Sequence, residues 1–91
     1  MVNIPDIVGS GAVVQLLTPN ATAATVQIVA TGGGTARIGG SNTSSALGLP
    51  VPGGAGLFLP YQGHDRPYNL AGLSAYVPVG LTLSVIYEPF N

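Results

Sequence analysis

Between Thr25 and Pro60, short apolar runs alternate with breaks rich in glycine, proline and small polar residues. The clearest run is Ala24 to Thr31. Val26, Ile28 and Ala30 fall on one side of a two-residue period, and Thr25, Gln27 and Thr31 on the other. Successive side chains of a strand point to opposite faces, so this alternation predicts a half-buried strand. Gly32-Gly33-Gly34 then predicts a tight connection into a strand over Thr35 to Gly39, with Ala36 and Ile38 inward and Arg37 outward, and together a hairpin. Upstream, Ala12 to Thr18 predicts a first strand, stopped by the turn pair Pro19-Asn20. Downstream, Ala55 to Pro60 carries Leu57 and Leu59 on one face. Leu73 to Val77 and Leu81 to Tyr87 predict a second hairpin around Pro78-Val79-Gly80.

The segments between these strands are equally informative. Residues 1–10 contain Pro5 and Gly9 and show no helical period, which predicts an extended arm that docks on a neighbour. Gly40 to Leu47 reads as a polar loop. Pro50 and Pro52 forbid a central strand over Gly48 to Gly53 and predict an edge strand or a turn. Tyr61 to Asn69 is the most polar loop. No window keeps an apolar i, i+3, i+4, i+7 pattern free of glycine or proline, so helix is expected to be nearly absent. About six to eight short antiparallel strands at this spacing predict an all-β fold, a small β-sandwich or jelly-roll-like barrel. It would be one domain over residues 1–91 with Val26, Ile28, Ile38, Leu57, Leu59, Leu83 and Val85 in its core.

Charge changes the picture more than hydropathy does. Charged residues make up 5% of the 91, against roughly 25% in an ordinary soluble domain. They are Asp6, Arg37, Asp65, Arg66 and Glu88; lysine is absent. So little repulsion between copies predicts a surface covered by neighbouring subunits. Two arginines cannot build a nucleic-acid-binding face. Apolar runs broken at Gln15, Gln27, Pro50, Gly72 and Pro78 exclude a membrane-spanning helix, which needs about 18 apolar residues. Met1 to Asp6 lacks the basic start of a secretory signal. There is no cysteine for a disulfide, and no metal staple is expected from a single histidine and three carboxylates.

Candidate chemistry is sparse. Gly9-Ser10-Gly11, Gly32-Gly33-Gly34 and Gly54-Ala55-Gly56 each begin like a dinucleotide fingerprint, yet Val14, Arg37 and Leu59 stand where its third glycine belongs. These are turn glycines, and no cofactor is expected. His64-Asp65-Arg66 is the one titratable cluster, but adjacent residues in extended chain point apart and no second His or Cys completes a nucleophile. An interface loop is the better reading, and no enzyme activity is expected. Ser41, Ser44 and Ser45 have no partner visible in sequence. Asn20-Ala21-Thr22 and Asn42-Thr43-Ser44 fit the glycosylation pattern, which matters only in a secreted eukaryotic protein. Tyr61, Tyr68, Tyr76 and Tyr87 could stack on a sugar, although core edge and subunit contact suit them better.

The order of the pieces resembles small β-rich virion proteins of tailed bacteriophages, of the capsid-decoration and head-fibre kinds. The pieces are Val26-Gln27-Ile28-Val29-Ala30, Ile38-Gly39-Gly40-Ser41-Asn42, Gly48-Leu49-Pro50 with Gly53-Gly54, Leu57-Phe58-Leu59-Pro60, Tyr68-Asn69-Leu70 and Leu83-Ser84-Val85-Ile86-Tyr87. The chain departs from that pattern at Gly40 and Leu81, where aspartate is frequent, and at Thr25, where an aromatic is. The resemblance implies a decoration, or cement, protein that binds the outer surface of the major capsid protein shell and stabilises it. It would be a homotrimer, made in the host cytoplasm and located on the virion, binding neither nucleic acid nor membrane. The alternative is a head- or tail-fibre module that binds host-surface glycans through the Tyr61–Asn69 loop. The expected interface residues are Pro50, Val51, Pro52, Tyr61, His64, Arg66 and Tyr68.

Overall fold

The computed structural model describes residues 1–16, 21–63 and 65–90. Among them run nine strands: β1 Val2–Val8, β2 Ala12–Gln15, β3 Thr22–Gly32, β4 Thr35–Gly39, β5 Leu49–Pro52, β6 Gly56–Leu59, β7 Tyr68–Asn69, β8 Ser74–Val77 and β9 Leu81–Pro89. One turn of 3-10 helix, Leu70–Gly72, separates β7 from β8, and the Asn69 side chain caps it by accepting from the Ala71 amide. All pairings are antiparallel and build two sheets, β1-β9-β3-β6 and β2-β8-β4-β5. The two-residue β7 continues the line of β6 along β3. With β7 set aside, eight strands form two facing four-stranded sheets in jelly-roll order. The expected all-β sandwich is therefore the fold.

The two expected hairpins are not hairpins. β3 and β4 lie in different sheets, and so do β8 and β9. Gly32-Gly33-Gly34 and Pro78-Val79-Gly80 instead carry the chain across the sandwich, as do Gly9-Ser10-Gly11 and Gly53-Gly54-Ala55. The four crossings pack on one another at one end. Gly33 N–H donates to the Gly80 carbonyl at 3.1 Å, Gly9 N–H to Leu81 at 2.8 Å and Gly53 N–H to Gly34 at 3.0 Å. This crowding requires glycine. Gly32 has φ +113°, and a Cβ there would collide with the Gly80 carbonyl oxygen; one at Gly53 would collide with the Gly32 carbonyl. Turn-like residues satisfy a hairpin and a crossing alike, and the period-2 pattern does not name a strand's partner. β4 and β5, joined across Gly40 to Gly48, are the consecutive strands that do pair.

The core fills the space between the sheets. Val26, Ile28, Ile38, Leu83 and Val85 are buried as the alternation predicts, while Leu57 and Leu59 on the edge strand β6 are half-buried against them. Val51, Leu70, Val77 and Leu81 complete the set of largest fully buried side chains. Fully burying one such aliphatic side chain contributes about 1.5–3 kcal/mol. Ala23, Ala30, Ala36 and Ala75 are also buried, and their size lets the sheets approach. Residues 1–10 are extended as expected, but Val2–Val8 pairs with β9 of its own chain and places Ile4 in the core. The strand expected over Ala12 to Thr18 corresponds to β2, Ala12–Gln15; Leu17, Thr18 and the expected stop at Pro19-Asn20 lie outside the described residues.

Candidate functional site

Pro50 and Pro52 are exposed on β5, the outer strand of its sheet. Proline lacks a donor, so an edge strand is where it costs least. Val51 is a correction to the expected interface. With prolines pointing out on either side, the two-residue period turns it inward opposite Ala36, and it is 1% exposed. It belongs to the core and offers nothing to a partner. Tyr61 is 55% exposed and Arg66 is exposed, both in the connection from β6 to β7. Tyr68 is half-buried in β7, and its hydroxyl donates to the Pro60 carbonyl at 2.6 Å, which fastens that connection across its base. His64 lies outside the described residues.

The tyrosines do not gather into a platform. Tyr76 sits on the outer face of the β2-β8-β4-β5 sheet, in a row with Val13, Arg37 and Pro50. Tyr87 pairs with Val26 and packs against the core, as does Tyr68. Of the three serines singled out, Ser44 has a structural role: its Oγ accepts from the Ala46 and Leu47 amides and shapes the loop before β5. Thr43 is buried, with its hydroxyl donating to Gly40 at 2.7 Å. Among the described residues, no three of His, Cys, Asp and Glu come together as a metal-binding group.

The open strand edges differ in how they are protected. β1 carries Pro5, Asp6 and a bulge between Ile4 and Ile7; β5 carries its two prolines. Prolines, bulges and charges on an edge all oppose strand-to-strand association. β2, Ala12-Val13-Val14-Gln15, has none of the three, nor has β6, Gly56-Leu57-Phe58-Leu59. On β2 the geometry is explicit. Leu16 N–H donates to the Leu73 carbonyl at 2.9 Å, one step beyond the Gln15–Ser74 pair. Bonded pairs alternate along an antiparallel ladder, so Val14 and Ala12 bond to β8 while Val13 and Gln15 direct their backbone groups away from the sheet. Val13 is also 45% exposed.

What the described residues offer is thus an open edge on a surface with few charges. Neither a protein-family model, nor a curated protein, nor a solved structure matches the chain. Sequence reasoning missed Val13 and Gln15 because edge status is a property of the sheet order, and nothing within Ala12–Gln15 marks it.

Proposed function

We propose that the chain is a structural protein of a phage particle, a decoration protein that binds the outer surface of the capsid shell and itself. The observation that carries this reading is the unprotected β2 edge on a molecule with almost no charge. The surface is 4940 Å², close to the roughly 4,900 Å² of an ordinary compact monomer of 9.1 kDa. A surface of ordinary size therefore carries only five charged side chains and no lysine. A standard interface buries about 800 Å² on each partner, so two or three of them would cover roughly a third to a half of it. Strand addition at an edge supplies main-chain hydrogen bonds to a partner whatever its side chains. Assembly as a trimer and location on the virion rest on the resemblance to virion proteins. The reading assigns no catalytic role to any residue. The jelly roll is used by capsid and lectin domains alike, so it favours neither class by itself. The glycan-binding fibre module has less support at the Tyr61–Asn69 loop, where Tyr68 is tied to Pro60.

Rebinding tests the proposal. Purified protein mixed with undecorated capsids should co-sediment with them and raise their resistance to heat or low salt. Binding to host cells without binding to shells would replace this reading with the fibre module.

A further inference from the structure

We propose that the outer face of the β1-β9-β3-β6 sheet is a binding groove for a neutral saccharide chain lying across the strands. A hollow of about 600 Å³ opens there beside β1 and continues over β3 into a second of about 280 Å³ beside Phe58. The first alone falls within the roughly 300–1,000 Å³ of small-molecule sites. Two cross-strand rows build it. One runs Asn3, Ile86, Gln27, Phe58; the next runs from the β1 bulge at Pro5 and Asp6 through Ser84 and Val29 to Gly56. Three strand spacings of about 4.8 Å make each row about 14 Å long. Ser84 and Gly56 are small, so the second row forms a floor. The bulge bends the edge strand into a wall and brings Asp6 to the groove.

The groups in this groove select the ligand. Asn3, Asp6, Gln27 and Ser84 line it, and their side chains form no hydrogen bond with the described protein. Elsewhere Arg37, Thr43, Ser44, Tyr68 and Asn69 are committed to backbone partners. Two amides and a hydroxyl supply both donors and acceptors, and the carboxylate adds acceptors. Among the described residues no cationic side chain lines the groove, so an anion finds no partner among them and is repelled by Asp6. One carboxylate alone does not hold a metal ion. A wholly apolar ligand would strip water from these polar groups and leave them unpaired. A neutral polyol meets both demands: its hydroxyls pair with the four polar groups, and its C–H faces lie on Ile86, Val29 and Phe58. Phe58 is 53% exposed, an aromatic ring presented to solvent at the end of the row. The inference does not rest on the virion assignment, and the groove lies on the sheet that does not contain β2.

Amide NMR titration of the full chain tests it, with maltotetraose, cellotetraose and the N-acetylglucosamine tetramer as probes at millimolar concentration. At least one should shift the resonances of Asn3, Gln27, Phe58 and Ser84. Gln27→Ala and Phe58→Ala should each weaken that sugar about threefold to tenfold, whereas Tyr61→Ala should not. Gln27 and Phe58 are exposed, so both variants should keep the wild-type unfolding curve. Silence from all three sugars, shifts confined to Tyr61–Arg66, or equal binding of tetragalacturonate, which carries a carboxylate on every ring, would overturn the proposal.

Discussion

Val51 shows how much a single position depends on its neighbours. Flanked by two prolines, it looks like part of an exposed rim, yet the rim itself forces it inward. Val51→Lys would place a charge among Ala36 and the other core residues. Burying an unpaired ammonium is among the costliest single changes, so this variant should fail to fold cooperatively by thermal unfolding. Pro50→Lys, on the exposed side of the same strand, should leave the transition within about 0.5 kcal/mol. Ile28 is 1% exposed in the middle of β3, and Ile28→Ala should lower stability by about 2–5 kcal/mol in chemical denaturation. Positions such as Ile28 were legible because the alternation around them is long and regular. Leu70 was not, since it enters the core from a 3-10 turn that has no period to follow.

At the scale of elements, the strands could be found but their partners could not. Local signals placed a strand on each side of Gly32-Gly33-Gly34 and of Pro78-Val79-Gly80, and both pairs of strands exist. What joins them is a crossing between sheets, set by contacts between crossings far apart in sequence, such as Gly33 with Gly80. Gly53→Ala tests that packing. It should cost more than Gly54→Ala, where the space is open and only the φ of +88° opposes a side chain, at about 1–2 kcal/mol. Denaturant midpoints of the two variants decide the order. The bare edge makes a separate prediction. Val13→Pro removes an outward-facing donor, so stability should change little while self-association weakens at least tenfold in dilution experiments. The same substitution at Val14 would break the ladder to β8.

The whole molecule joins a self-contained fold to a surface with few charges. Its two sheets bury a core without cysteine or a clustered metal site among the described residues, and its N-terminal strand closes on its own sheet. On the proposed reading, partners cover the surface rather than complete the fold. The all-β sandwich was legible from two-residue periodicity and proline placement. The position of the bare edge was not, because it follows from strand order. The groove was hidden for the same reason, since Asn3, Gln27, Ser84 and Phe58 meet only across the sheet. The most direct measurement is sedimentation of the purified chain at micromolar concentration, alone and with undecorated shells. The expected result is a discrete multiple of 9.1 kDa, three copies by the resemblance, that moves with the shells when they are present. A stable, soluble monomer at 9.1 kDa with affinity for neither itself nor the shells would contradict it.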